Sequence, residues 1–374
     1  MQVINKIFRK KMNIAFFVYH PVEPQMYFPI ANKLKKEGNN VIFILLEKEN
    51  IEEILLKNMG FPYFKVKKYS SSIVSKLIKL FQTLFYIKKI LDINKTDIVF
   101  SATSIYAGIP AYLTRSLRIG FTDTETAKIN NSFAFPFFQS IITPDCFYER
   151  IPKKKHIPVK SYKEFAYLHP SRFVQNDKIL HQLGINSCEK IVLLRFSALH
   201  AAHDIGLKSK ADKYYEQILY YIKKLSKYAK VFISCTEKEL GVEFEEYKLN
   251  IHPSQYIHLL SFCSLYIGEG TTTASEAGVL GVPWIALRPV PLGYLNDQEE
   301  NYGLGFRTDN ISYAFETALR WIPQDNIKEV WQQKRQKLFV DKIDFAAFLV
   351  WFIENYPQSH VVMKKDVTFQ NKFR

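Results

Sequence analysis

The chain has no apolar stretch of the roughly 18–20 residues that a bilayer-crossing helix needs. Cysteine is scarce. Cys146, Cys188, Cys235 and Cys263 lie far apart and form no metal-ligand pair, so reduced thiols in a cytoplasmic protein are the expectation. The basic run Met1–Lys11 lacks an apolar core and a small-residue cleavage site; it reads as a loose extension before Met12 rather than a signal peptide. No low-complexity tract is present. No nucleic-acid-binding motif and no aromatic platform accompanies the basic residues, so nucleic acid is not an expected partner.

Acid is also in short supply, and unevenly. Residues 1–158 carry 24 Lys+Arg against 12 Asp+Glu, a difference of +12, while residues 159–374 carry 27 against 24, a difference of +3. A basic N-terminal half suits an anionic surface such as a membrane leaflet or a phosphorylated lipid. The plainer alternative is lysine as the default surface residue. Otherwise the balance, 47% hydrophobic and 23% charged over 374 residues, is that of a globular protein large enough for two cores.

Apolar runs alternate with amphipathic segments. Residues 13–19, 41–46, 61–66, 97–101, 118–122 and 140–144 predict strands, with helices over 26–37, 51–59, 72–91 and 105–117 between them. The segment 150–158, charged and holding Pro152 and Pro158, reads as a hinge. Then the same alternation restarts, with strands at 190–196, 230–234, 264–267 and 284–287 and helices at 211–228 and 256–263. Continuous apolar strands separated by helices predict parallel sheets covered on both faces. The expectation is therefore α/β: two doubly wound Rossmann-like domains, 12–158 and 159–335, facing a cleft. A C-terminal helix and tail follow over 336–374, frayed from Pro357.

Ligands of such folds sit outside the carboxyl ends of the strands, so residues just past each strand are the candidates. The richest is Gly268–Pro283, where an apolar run turns through glycine and threonine into a helix. Gly270, Thr271, Thr272 and Thr273 would meet a phosphate with unpaired backbone N–H groups and the helix dipole, and Glu276 would accept from a ribose diol. The competing reading is a threonine N-cap and an exposed helix glutamate. Arg195, inside an apolar strand end, needs an anion; either a diphosphate or a structural carboxylate such as Glu164 would serve. Arg288, after the strand 284–287, is a second phosphate clamp or a surface arginine. His200, His203 and Asp204 follow the Arg195 strand; a metal site there would lack a third ligand, so His203 reads as a substrate-facing or structural histidine. Asp123 and Glu125 end a strand, as a general base or as caps of the next helix. His20 follows the first strand, as a substrate-orienting group or a turn residue. The helix 72–91 has an apolar stripe flanked by Lys76, Lys79, Lys88 and Lys89, which suits core packing or an anionic membrane surface.

Five of these segments, in matching order over residues 12–310, resemble an uncharacterised prokaryotic family related to the GT-B nucleotide-sugar enzymes. They are Phe121–Ala127 with Asn130 and Ile141–Pro144, Lys163–Pro170, Leu194–Phe196, Ala201–Asp204 and Gly268–Pro283. That family is similar in architecture to the non-hydrolysing UDP-N-acetylglucosamine 2-epimerases and to the lipid-II-forming glycosyltransferase. The resemblance implies a GT-B fold, with donor nucleotide on the C-terminal domain and the other substrate toward the N-terminal one. The epimerases carry paired glutamates where this chain has Ser275 and Glu276, and a Ser-Gly-Gly turn where it has Gly268–Thr271.

The expected function is a metal-independent glycosyltransferase of cell-surface polysaccharide synthesis. It would use a nucleotide sugar, UDP-linked by expectation, and a saccharide or lipid-linked saccharide acceptor, and no separate cofactor. Arg195, Thr271–Thr273, Glu276 and Arg288 would hold the donor, and Asp123, Glu125, His20 or His203 would do proton chemistry. Peripheral contact with the inner membrane face is expected through the basic half. The alternatives are a UDP-sugar 2-epimerase and a non-catalytic nucleotide-sugar binding protein.

Overall fold

The computed structural model describes residues 11–47, 50–67, 73–186, 188–196, 208–235 and 241–374. The chain forms two compact units. The first holds residues up to His169 together with Lys342–Arg374; the second is Pro170–Asp341.

The first unit is built on a seven-stranded sheet of β1 (Asn13–Val18), β2 (Asn40–Glu47), β3 (Tyr63–Lys67), β4 (Ile98–Ala102), β5 (Leu117–Phe121), β6 (Ser140–Pro144) and β7 (His156–Val159). The order is β3-β2-β1-β4-β5-β6-β7, every neighbouring pair parallel. Strands with nearly every residue buried need helices on both faces, which explains their unbroken apolar runs. One face is covered by the helices Ile73–Ile93, Ile105–Leu113 and Lys128–Ala134, whose inner residues Ile87, Ile90, Leu91, Ala107, Ala111 and Ala134 join Phe17, Val99 and Ile141 in one core. The order reverses between β1 and β4, a topological switch point.

The second unit carries β8 (Ile191–Phe196), β9 (Lys230–Cys235), β10 (Leu265–Gly268), β11 (Trp284–Ala286) and β12 (Gly305–Arg307), ordered β12-β11-β10-β8-β9 and also wholly parallel. Its switch point lies between β8 and β10. The helix Lys208–Leu225 packs Ile218, Tyr221 and Ile222 on Val192, Leu194 and Ile267, and the Tyr221 and Phe315 rings stack at 5.1 Å.

The segment 150–158 is no hinge. Its end is β7, held in register on β6, and the crossing falls at His169–Pro170. Residues 342–374 belong to the first unit and do not stand as a separate tail. Ser161 Oγ donates to the Ile343 carbonyl (2.8 Å), and Lys160 N–H donates to Gln370 Oε1 (2.7 Å). The helix Phe345–Glu354 buries Phe345, Phe348, Leu349 and Phe352, with Phe345 against Phe121. Past Pro357 the chain is folded: the helix Gln358–Lys365 sets His360 Nδ1 2.7 Å from Ser140 Oγ. Its weak apolar pattern read as fraying because the groups that anchor it are polar and distant in sequence. The first helix starts at Val22, four residues before its apolar spacing begins, because Glu23 accepts the Tyr19 and His20 N–H groups at the entry.

Candidate functional site

In the second unit, Arg195 and Gly268 are partners in the β8–β10 register, at the carboxyl ends of the two strands that flank the switch point. Backbone and side chain approach closely here. A Cβ on Gly268 would collide with the Arg195 carbonyl oxygen, and one on Gly270 would lie 2.9 Å from Arg195 Cδ. Only glycine at both positions lets the arginine lie across the start of the next helix. That helix, Thr271–Leu280, has Gly270 at its N-cap with no side-chain cap, and its first intrahelical bond runs from Ala274 N–H to the Gly270 carbonyl (3.0 Å). The N–H groups of Thr271, Thr272 and Thr273 precede that bond and form the positive end of the dipole.

Arg195 donates to Ser234 Oγ (3.2 Å) and lies 5.6 Å from the Tyr256 ring centroid; among the described residues no carboxylate is in ion-pair contact with it. Burial opposes its charge, but Tyr256, Tyr266 and Glu276 together outweigh burial and hold its pKa above the ordinary arginine value. The Tyr256 phenol is pushed up to about 12, chiefly by burial, with Arg195 and Thr273 pulling the other way. Tyr266, fully buried, donates to the Gly270 carbonyl (3.0 Å) and fixes the turn. Glu276, one turn into the helix and buried, adds its negative field to Arg195, Tyr256 and Tyr266.

Ser275 faces the core instead. Its hydroxyl accepts from Gln298 Nε2 (2.9 Å), and Gln298 Oε1 accepts from Trp284 Nε1 (3.2 Å). Gly278 makes room for that glutamine, since a Cβ there would collide with Gln298 Oε1. Thus Ser275, at the position of the first glutamate of the epimerase pair, is part of a buried hydrogen-bond chain. Arg288 lies more than half exposed, 3.4 Å from Glu269, so its nearest anion is a neighbouring carboxylate. His200, His203 and Asp204 lie outside the described residues.

In the first unit Asp123 lies against a lysine. Lys163 Nζ is 2.6 Å from Asp123 Oδ2 and 3.9 Å from Glu164 Oε1, and all three residues are buried. Glu125 is buried beyond the end of the same strand, β5. Glu23 enters from the end of β1. Its pKa is raised to about 8, first by burial; the Tyr19 and His20 N–H groups and Lys163 lower it, and Asp123 raises it. Asn131, not Asn130, is the buried asparagine; it ties the loops after β4 and β5 by accepting from Thr103 Oγ1 (2.8 Å). His20 is exposed, and its Nδ1 accepts weakly from Val22 N–H (3.4 Å), the geometry of a turn residue. Sequence reasoning passed over Glu23, Tyr256 and Tyr266. Only Glu23 left a signal: a carboxylate three residues past His20, where a helix start wants one.

Glu23 gives a pH prediction. A carboxyl whose folded pKa exceeds its unfolded value stabilises the fold fully below the unfolded pKa and loses that contribution as pH rises through the folded pKa. The folded first unit should therefore weaken between about pH 4.5 and about pH 8. Glu23→Gln, which mimics the protonated form, should flatten that decline. Urea midpoints at pH 5.5 and 8.5 for both proteins check it, and an unchanged slope in the variant rejects it.

Two Rossmann-like units with all-parallel sheets define the GT-B fold. By sequence, the model of one family, described as "Protein of unknown function (DUF354)", matches residues 22–347, and the chain belongs to that family. No curated protein matches it by sequence. Similar solved structures include Staphylococcus aureus MnaA with UDP, at 12% identity and a TM-score of 0.66, covering 94% of this chain and 98% of that one. UDP-GlcNAc 2-epimerase from Neisseria meningitidis, bound to UDP-GlcNAc, gives 13% and 0.62 over 91% and 98%. MurG from Acinetobacter baumannii gives 13% and 0.58 over 92% and 99%. At such identities the likeness establishes the shared fold.

Proposed function

We propose that the chain is a nucleotide-sugar enzyme, a glycosyltransferase that binds a UDP-linked donor on its second unit. One observation carries this reading: Arg195, with no carboxylate in ion-pair contact among the described residues, lies against an uncapped helix start at the β8–β10 switch point. A diphosphate is the anion that such a place suits, because the guanidinium and three convergent amides meet its oxygens together. In the transfer step these same groups stabilise the departing diphosphate without calling on a metal. Glu276 takes the ribose hydroxyls. For the proton of an acceptor hydroxyl the first unit offers Asp123 and Glu125, with Lys163 setting the charge beside Asp123. The acceptor in this proposal is a saccharide, free or lipid-linked, of a cell-surface polysaccharide, and the enzyme acts in the cytoplasm, where nucleotide sugars are made. Among the described residues no helix is long and apolar enough to cross a membrane.

One observation favours a second reading, a UDP-sugar 2-epimerase. Glu23, whose pKa burial raises to about 8, lies in the field of the ion-paired Asp123, and a carboxyl raised in this way suits a general-acid role. The core-facing Ser275 weighs against it.

The test has two stages. UDP, GDP, CDP and TDP are compared by thermal shift on the wild type and Glu276→Ala. UDP should give the largest stabilisation, and the substitution should remove most of it; equal response to all four, or to none, ends the UDP reading. Incubation with UDP-sugar and no acceptor then separates the two activities. A changed sugar configuration identifies an epimerase, and an unchanged donor that is consumed only when acceptor is added identifies a transferase.

A further inference from the structure

We infer that the outer layer of three helices in the first unit is a docking face for an anionic lipid bilayer. The helices Ile73–Ile93, Ile105–Leu113 and Lys128–Ala134 bury their inner sides in a single core on one face of the sheet, so their outer sides share one layer. The middle helix packs against the first, and its Tyr112 ring meets Phe137 just past the third (6.2 Å). Outward from this layer stand Phe81 at 69% exposure, Phe85 at 71%, Ile129 at 77% and Phe133 at 68%, with Ile78 and Tyr112 also more than half exposed. A lone exposed apolar residue needs no explanation, but large ones on three adjoining helices do.

The first helix is apolar on two sides. Leu84, Ile87 and Leu91, spaced i, i+3, i+7, face the core. Ile78, Phe81 and Phe85 repeat the same spacing on the outside. A surface helix of a globular protein normally has polar residues there. The charges that remain are mostly basic. Lys79, Lys88 and Lys89 accompany a single acid, Asp92, which pairs with Lys88 (2.6 Å). The helix Ile105–Leu113 has no charged residue, and Lys128 is the only one in Lys128–Ala134.

Aromatic and aliphatic side chains among lysines match the boundary between acyl chains and anionic headgroups, where each basic residue adds attraction that salt screens. A second copy of the chain is the poorer fit, because it would set lysine against lysine. The face holds no part of the proposed nucleotide site, so the two proposals stand or fall separately.

The experiment is vesicle co-sedimentation without nucleotide. Vesicles of phosphatidylcholine alone are compared with vesicles of phosphatidylcholine and phosphatidylglycerol, using the full chain and the variant Phe81→Ser/Phe85→Ser. The wild type should partition about tenfold more strongly onto the phosphatidylglycerol vesicles, less so in high salt, and the variant should lose about tenfold. The variant should keep its UDP thermal shift, which separates this outcome from any failure of the nucleotide reading. No binding by the wild type overturns the inference, as does equal binding by the variant. So does analytical ultracentrifugation showing a wild-type dimer that the variant dissociates, which would make a second copy the occupant.

Discussion

Arg195→Ala should weaken UDP binding by about 100-fold, roughly 2–4 kcal/mol, through loss of charge-assisted hydrogen bonds to a diphosphate. The estimate follows from the geometry. The side chain crosses the start of the helix Thr271–Leu280 and shares that end with uncapped amides, so an anion there meets cation and dipole together. At a ligand concentration of about 100 Kd the wild type should gain about 2.7 kcal/mol of stability, and a variant weakened 100-fold about 0.4 kcal/mol. Comparing each protein with and without UDP cancels any change in its own stability. Arg195→Lys should recover only part of the shift, because an ammonium supplies the charge without the planar fork. An arginine-free variant that still shows the full UDP shift would remove the guanidinium from the binding account.

Lys163→Met should destabilise the first unit by about 3–5 kcal/mol, the cost of leaving a buried charge without its partner. Asp123 would lose the ammonium 2.6 Å away, and the field of that ammonium would be lost at Glu23 and Glu164 as well. Lys163→Met/Asp123→Leu should recover most of the loss, since a buried ion pair is often matched by apolar residues of similar volume. Trp351 lies in the first unit, and Trp284, Trp321 and Trp331 lie in the second. Urea unfolding of proteins that keep only Trp351 would therefore report the unit concerned. A loss below about 1 kcal/mol would mean that the pair behaves like an exposed one.

Much of this architecture could be read locally. The run Asn13–Val18 is buried in sequence order, and an apolar run of that length between helical patterns has few homes other than a parallel sheet. Gly268 and Gly270 were legible as a phosphate-sized turn because glycine in such a turn reports close approach by something; that the something is Arg195 was not legible. Other features escaped for one reason. Strand β7 was hidden by its proline, since Pro158 stays in register because β7 is the last strand on its side of the sheet. Glu23 and Lys163 carry no local sign of burial, because burial of a charged side chain depends on partners far along the chain: Lys163 and Asp123 are forty residues apart.

Periodicity and composition determined the α/β class, the parallel sheets, the place of the turn at Gly268–Gly270 and the basic character of the first half. Those properties follow from each residue's preference for water or apolar surroundings, and such a preference is written locally. Tertiary structure alone decided that residues 342–374 return to the first unit, that Ser275 turns inward to Gln298 while Glu276 faces Arg195, and that Phe81 and Phe85 are left outside. Each of these depends on which distant surface meets and buries a side chain, and pairing across that distance leaves no periodic trace along the chain.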